Sequence, residues 1–196
     1  MSLLFEGADW EFSTVQRCHD AIAEIATKEL GLDTYPNQIE VISTEQMLDA
    51  YSSIGMPLFY KHWSFGKHFA RDEAMYRAGM QGLAYEIVIN SNPCISYIME
   101  ENTATMQALV IAHAAFGHNH FFKNNYLFRQ WTNASTIVDY LIFAKEYIIS
   151  QETKHGRKAV ESWLDSCHAM MDYGVNRYKR PSKLSMEKEK QRQLER

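Results

Sequence analysis

Three histidines lie close together in the chain, at positions 113, 118 and 120. Imidazole is the commonest side-chain ligand for transition metals, and one helix often supplies two histidines spaced three or four residues apart. His113 and His118 are five residues apart, which separates them by about 140° around an ideal α-helix. Their rings converge only if the helix ends or distorts near Gly117, which glycine permits. The alternative is that His113 is a hydrogen-bonded core residue and that His118 and His120 cap the helix end.

Two carboxylates are candidates for acid–base chemistry, Glu86 and Glu101. Glu86 lies in the alternating, β-branched segment 84–90, which predicts a strand. If Glu86 faces inward with Val88, it is a buried carboxylate that needs a cation, a metal or a donor as partner. A buried carboxylate beside a metal is what a hydrolase uses as general base. The alternative, that Glu86 lies on the solvated face of the strand, stays open.

Two further groups of residues contain histidine. His168 and Asp172 are four residues apart on a predicted helix, so they are either a metal ligand with a supporting carboxylate or an exposed ion pair. The segment 55–69 has no clear period, is dense in aromatics and holds His62 and His68. Such a segment suits a substrate-binding loop, and it equally suits a loop that packs on the body of the protein.

The elements that must position these residues are mainly helices. Capping boxes at Ser13 and Ser43 each predict a helix start, because Gln follows three residues later. The predicted strands are 38–42 and 84–90. One predicted helix begins at residue 44, and the others are 13–30, 70–79, 103–117, 134–153 and 157–173. Helix 134–153 is apolar on nearly all sides, which predicts a core position, and Trp163 is expected to face inward from the next helix. We therefore expect a mainly α (α+β), compact helical domain with two or three short strands.

Composition restricts the function classes. The formal net charge is −4 and the pI about 6.1, which gives no electrostatic basis for binding nucleic acid. Three widely spaced cysteines without a CxxC motif indicate a reducing compartment. The N-terminus lacks the features of a signal peptide, and the longest apolar stretch is too short to span a bilayer. We expect a cytoplasmic domain over 1–181, followed over 182–196 by a charged tail or a lead into a further C-terminal portion, with the oligomeric state open.

Four runs of the sequence resemble the stage V sporulation protein R (SpoVR-like) family. These runs are HWSFGKHF, AYEIVINSNPCISYIMEENT, AHAAFGHNHFFKNNYLF and DSCHAMMDYGVNRYKRP, at 62–69, 84–103, 112–128 and 165–181. The resemblance extends from about Leu4 to Pro181, and members of the family are considerably longer, so the chain looks like an N-terminal portion. The resemblance implies a cytoplasmic bacterial protein, linked in spore formers to cortex formation and elsewhere to a stress-response serine-kinase system. It implies no agreed catalytic activity.

Residues carried over with the family pattern refine the candidate site. The pattern in the third run contains His113, the pair Gly117-His118 and the segment 121–125, whereas position 120 varies. The resemblance therefore favours His113 and His118 as ligands over His120. It also brings Lys123 and Asn124 into the set of candidate substrate-binding residues.

Two hypotheses follow. In the first, the protein is a metal-dependent hydrolase in which His113, His118 and His168 bind zinc or another divalent metal. Glu86 and Glu101 are then the catalytic carboxylates, unless one of them completes the ligand set in place of His168 and leaves the other as the base. His62, His68, Lys123 and Asn124 bind substrate. In the second, the protein is a non-catalytic regulatory or scaffold module, its histidines are core hydrogen-bonding residues, and the aromatic segment 55–69 is a partner surface.

Overall fold

The computed structural model describes residues 3–53, 60–82, 85–173 and 185–194. The nine α-helices of these residues are α1 Phe12–Glu24, α2 Thr44–Ser52, α3 Trp63–Arg77, α4 Ala104–Ile111, α5 Asn119–Asn124, α6 Tyr126–Trp131, α7 Ile137–His155, α8 Arg157–Met170 and α9 Met186–Leu194. Two π-helical segments, Ile25–Glu29 and Ala112–His118, and a 3₁₀ turn, Met171–Tyr173, complete the helical part. The predicted mainly α (α+β) fold is confirmed. None of the described helices is long and apolar enough to cross a membrane.

The strands form one small mixed sheet. They are β1 Asn37–Ile42, β2 Glu86–Ile89 and β3 Cys94–Met99, in the order β1-β3-β2. β3 is central and pairs parallel with β1 and antiparallel with β2. The sequence predicted β1 and β2, but β3 was missed. In β3 the alternate buried positions include Ser96, which interrupts the apolar alternation that would have marked a strand.

The core lies where α1, the sheet and the helix after β3 meet. α1 contributes Val15 and Cys18, β3 contributes Ile98, and α4 contributes Val110 and Ile111. All five of these side chains are buried. The core therefore fixes the orientation of α4 and of the π-helical segment that continues it.

The two predicted capping boxes differ in outcome. Ser43 accepts a hydrogen bond from the backbone of Gln46, and the Gln46 side chain accepts one from Ser43 N, so the second box is confirmed. The first was wrong, because α1 begins after Glu11 and no side chain caps it. The Ser13 hydroxyl instead donates a hydrogen bond to the Glu11 carboxylate.

Three other expectations need correction or fall outside the described residues. The aperiodic segment 55–69 is helical from Trp63 onward, as the first part of α3, while 54–59 lies outside the described residues. α7 was expected in the core, but Leu141 is its only residue classed as buried. Trp163 of α8 is 76% exposed and does not face inward. The apolar residues of a helix show only what it is able to bury, and not what the fold covers.

Two compact units make up the chain, Met1–Gln151 and Glu152–Arg196. The sheet, the core cluster and all the candidate site residues except His168 belong to the first unit. The second contains the end of α7 and α8, whose Val160 is buried. The predicted boundary between body and tail, after residue 181, lies outside the described residues.

Candidate metal centre

A π-helical segment brings the two histidines together. The segment Ala112–His118 continues α4 without a break and passes into α5. Because hydrogen bonds in a π-helix join residues five apart, side chains five apart lie on the same side of it. The rings of His113 and His118 are accordingly 4.4 Å apart, measured between centroids. The convergence that the sequence analysis required is present, and a widened helical turn produces it without ending the helix.

The opposite side of this segment is anchored in the core. Ala114 and Ala115 are fully buried and Phe116 is 4% exposed. The segment therefore cannot rotate without exposing these three residues. The two histidines are partly exposed and remain on the outer side of the segment.

Glu86 completes the group from the sheet. It is the first residue of β2 and lies opposite Ile98 of β3, in a strand that contacts the π-helical segment. Its side chain is 13% exposed, which decides between the two alternatives in favour of a largely buried carboxylate. His113 Nδ1 donates a hydrogen bond to Glu86 Oε1, and His118 Nε2 lies 3.7 Å from the same oxygen.

The three side chains form a cluster that could hold a metal ion. One donor atom from each of Glu86, His113 and His118 lies within 4.8 Å of the other two. Zinc bonds to nitrogen and carboxylate oxygen are about 2.0–2.2 Å long, so the three donor atoms would have to move closer together to share one ion. Glu86 Oε2 is buried and has no hydrogen-bond partner among the described residues. A buried carboxylate oxygen without a partner is costly, and a bound cation would remove that cost.

The surroundings of His118 favour its neutral form. Burial lowers the pKa of the His118 imidazole below its usual value, and the neighbouring His113 lowers it further, while Glu86 opposes both effects. The His118 ring also stacks on Phe122, with 5.8 Å between the centroids. Neutral imidazole is the form that binds metals, so this environment suits a ligand.

Comparison with known proteins decides the family. The family model described as "SpoVR like protein" matches residues 9–196. The chain belongs to the SpoVR-like family. It is similar to "Uncharacterized protein YcgB" of Escherichia coli (strain K12), with 63% identity over 193 residues, which is 98% of this chain. It spans 38% of the length of that relative. No solved structure matches the chain.

Glu101, the other predicted catalytic carboxylate of this SpoVR-like chain, lies outside the cluster. Glu101 Oε1 accepts hydrogen bonds from the backbone and the hydroxyl of Thr44, 3.2 and 2.6 Å away, at the start of α2. Burial raises the pKa of Glu101, but the hydrogen bonds from Thr44 outweigh this and the pKa is lowered. A lower pKa makes a weaker general base. His168 lies in α8, in the second unit, and its predicted part in metal binding stays a prediction.

The predicted substrate-binding histidines lie at the start of α3 and within it. His62 precedes the helix, is 8% exposed, and its Nδ1 accepts a hydrogen bond from the backbone of Ser64. It therefore caps the helix. His68 is half-buried within the helix. Their role in substrate binding stays a prediction.

The other two candidate substrate-binding residues hold a loop. Lys123 Nζ donates to Asp33 Oδ1 at 2.5 Å and to the Thr34 carbonyl at 2.9 Å. Asn124 Nδ2 donates to the Asp33 carbonyl at 2.8 Å. His120 Nδ1 accepts a hydrogen bond from Asp33 N at 3.0 Å. All three side chains tie α5 to the loop before β1, and a further role of Lys123 and Asn124 in substrate binding stays a prediction.

Sequence reasoning missed Asn119, which follows His118. Its side chain is fully buried, accepts from Tyr35 N at 2.8 Å, and donates to the Tyr35 carbonyl and to Asn37 Oδ1 at 2.9 and 2.6 Å. These bonds join the end of the π-helical segment to the start of β1. The sequence offers little signal for it, because Asn119 is flanked by His118 and His120 and only its burial in the fold shows that it needs partners.

Proposed function

We propose that this SpoVR-like chain binds zinc or a similar divalent metal through Glu86, His113 and His118 and acts as a metal-dependent hydrolase. The single observation that carries the proposal is the convergence of two imidazoles and one carboxylate, with the second carboxylate oxygen buried and unpartnered. Two histidines and a glutamate are a known ligand set of catalytic zinc sites. Such sites keep a further position open for water or substrate.

The chain's own residues set what the site can do. Glu86 supplies a negative charge from a largely buried position. This charge would offset that of a bound cation, which the two neutral imidazoles alone cannot do. The partly exposed histidines leave the cluster accessible from solvent. A bound divalent ion would supply a water of lowered pKa and would polarise a substrate carbonyl.

The substrate and the cellular role rest on the family. Because SpoVR-like proteins are linked to the spore cortex, we propose a peptide bond or a peptidoglycan precursor as substrate. The association with sporulation or stress response, the contact with a serine-kinase system and the cytoplasmic location belong to the same proposal. They are supported by family membership, and the site geometry does not bear on them.

Elemental analysis of the purified chain, prepared without a His-tag, tests the metal site. We expect about one equivalent of metal per chain, lost in His113→Ala and in His118→Ala. His155→Ala is the matched control, because His155 is an exposed histidine at the end of α7 and should leave the metal content unchanged. A chain that folds but contains no metal and takes up none on dialysis against zinc would contradict the proposal.

Hydrolysis is tested separately on the metal-loaded chain. Peptidoglycan fragments and short peptides are incubated with it and the products are analysed by mass spectrometry for the addition of water. We expect cleavage that is absent in His113→Ala and retained in His155→Ala. A metal-loaded chain that cleaves neither class of substrate would contradict the proposed substrates and leave the metal site standing.

A second candidate function is the non-catalytic interaction module. It is favoured by α7, where Tyr140, Phe143 and Tyr147 are 62%, 64% and 53% exposed. These residues recur at helical spacing, and Phe143 stacks on Tyr147. Exposed aromatic residues on one helix face are typical of contact surfaces. Two results together would favour this function over the hydrolase. The purified chain would contain no metal, and Phe143→Ser would no longer bind a serine-kinase partner.

A further inference from the structure

An apolar groove adjoins the candidate metal centre. It has a volume of about 390 Å³ and is lined by Tyr85, Glu86, Met106, Leu109, Val110 and His113. Glu86 and His113 are also members of the metal cluster. We propose that this groove is the subsite that receives an apolar aliphatic or aromatic group of the substrate, next to the bond that the metal centre acts on. The proposal rests on the proposed metal site and adds the class of group that lies beside it.

The apolar character of the groove comes from α4. This helix, ATMQALVI, is apolar nearly all round, but only one side of it faces the core, through Val110 and Ile111. Leu109 therefore remains 61% exposed, and half-buried Met106 lies one turn earlier on the same face. An exposed leucine by itself needs no explanation, but a groove of apolar side chains beside a catalytic-type cluster gains free energy by taking up an apolar group.

Charge distinguishes this groove from two acidic cavities among the described residues. One cavity is lined by Asp9, Glu11, Glu100 and Glu101, and another by Glu40, Glu45 and Asp49, among other residues. Those cavities repel anions and attract cations. The groove beside the candidate metal centre has three titratable lining residues, Tyr85, Glu86 and His113. Glu86 and His113 belong to the metal cluster, which leaves the Tyr85 phenol as the remaining one. An uncharged apolar group is therefore the occupant that the lining favours.

The position of the two shared residues fixes the arrangement of a bound molecule. A polar group that reaches the cluster contacts Glu86 and His113 at one wall, and the adjoining part of the molecule then lies against Leu109, Met106 and Tyr85. A volume of about 390 Å³ holds one apolar side chain or a short acyl chain together with the neighbouring carbonyl. This favours substrates with an apolar residue or an acyl chain next to the bond that is cleaved.

Hydroxamic acids of different chain length test the groove, because a hydroxamate group binds zinc and carries an alkyl tail beside it. Acetohydroxamic acid and hexanohydroxamic acid are titrated calorimetrically into the zinc-loaded chain, with zinc content measured in every sample. A fully buried methylene favours binding by about fourfold. Since the groove is open to solvent, we expect the four additional methylenes of the longer acid to tighten binding by about tenfold in total.

Leu109→Gln is the decisive variant, because Leu109 is exposed and its replacement leaves the core intact. We expect it to reduce the preference for the longer acid to less than about threefold while the affinity for acetohydroxamic acid stays unchanged. The matched control is Leu30→Gln, since Leu30 is 65% exposed and lies at the end of the other π-helical segment. This control should retain the full preference.

The outcomes separate the two proposals. A chain that binds zinc and both acids equally well, or binds zinc and neither acid, overturns the groove as a subsite and leaves the metal site in place. A tenfold preference that survives in Leu109→Gln also overturns it, because the tail then lies elsewhere. A chain that binds no zinc overturns the metal site and the groove together.

Discussion

At the scale of single residues, the candidate site depends on the Glu86 carboxylate, which the fold itself largely buries. Glu86 has one oxygen engaged by His113 and the other buried without a partner among the described residues. A glutamate in this position destabilises the fold unless something compensates for its charge. A cation bound at this carboxylate would therefore stabilise the folded chain, because an ion that binds only the folded state raises its stability.

Glu86→Gln tests the charge of this residue separately from its shape. Glutamine keeps the size and one oxygen of the side chain but removes the negative charge. We expect zinc affinity to fall by about a hundredfold or more, because losing a residue that only hydrogen-bonds to a metal ligand already lowers metal affinity by about 10–100-fold. Competition titration with a fluorescent zinc chelator measures it. Glu40→Gln serves as the matched control, because Glu40 is a half-buried strand glutamate outside the cluster. Equal zinc affinity in the wild-type chain and in Glu86→Gln would contradict the ligand role.

Gly117 lies in the distorted stretch of helix that brings the two histidines together. From the sequence, the rings of His113 and His118 converge only if the helix ends or distorts near Gly117, which glycine permits. In the structure Gly117 is not among the glycines with positive φ, and a Cβ placed on it would lie 3.6 Å from the Ala112 carbonyl oxygen, an ordinary contact. The π-helical hydrogen bonding, and not glycine, brings the rings together.

Gly117→Ala is therefore expected to be tolerated. Alanine favours helical conformation over glycine by about 0.5–1 kcal/mol, so the free energy of unfolding should rise by about that amount. Zinc affinity should stay within about twofold of wild type, because the two rings keep their positions. Urea unfolding and the zinc titration measure the two quantities. Loss of zinc binding with unchanged stability would show that the convergence does require glycine.

At the scale of elements, the site is positioned by the contact of the π-helical segment with the core. Phe116 projects from the buried side of the segment and belongs to the core cluster. Its ring centroid lies 5.4 Å from that of His19 in α1. Its side chain is 4% exposed. The packing of this ring holds the outer side of the segment, with its two histidines, against β2.

Phe116→Ala should consequently weaken both the fold and the site. Removal of a buried phenylalanine side chain costs about 3–5 kcal/mol of unfolding free energy. Phe121→Ala removes the same side chain from a position that is 49% exposed, and it should cost less than about 1 kcal/mol. Urea unfolding followed by circular dichroism compares the two. A cost for Phe116→Ala no greater than that for Phe121→Ala would mean that the segment is not anchored in the core.

Elements were predicted well where a local signal was strong. The Ser43–Gln46 capping box predicted the start of α2, and β-branched alternation predicted β1 and β2. β3 was missed because Ser96 occupies a buried position of the strand, and a helix start at Trp63 was missed because a histidine caps it. The burial of Ser96 depends on tertiary contacts that local periodicity does not contain. The His62 cap is a local bond to Ser64, but histidine is not among the residue types that usually mark a helix start.

At the scale of the whole molecule, composition predicted the fold class but not which apolar surfaces are covered. α7 has the composition of a core helix, yet Tyr140, Phe143 and Tyr147 are exposed. The candidate site depends equally on tertiary geometry, because residues 86 and 113 are brought together by the pairing of β2 with β3 and by the contact of the π-helical segment with β2. Sequence spacing alone could name Glu86 as a candidate but could not place it beside His113.

The reactivity of the three cysteines tests which parts of the chain are closed to solvent. Cys18 and Cys94 are buried and Cys167 is exposed. Burial raises the pKa of the Cys18 thiol and raises that of Cys94 to about 11. A thiol with a raised pKa remains protonated as the pH rises until it reaches that pKa, so Cys94 supplies almost no thiolate at about pH 8, and the thiolate is the reactive form.

We therefore expect Ellman's reagent to modify one thiol per folded chain rapidly at about pH 8, and all three after denaturation in guanidinium. Cys167→Ser should abolish the rapid phase, whereas Cys94→Ser should leave it unchanged. Removal of metal with a chelator should speed the slow modification of Cys18, because Cys18 shares the core cluster with Phe116 of the π-helical segment and a bound ion would favour the closed state. Rapid modification of two or more thiols in the metal-loaded chain would mean that the core around α1 and β3 is open to solvent.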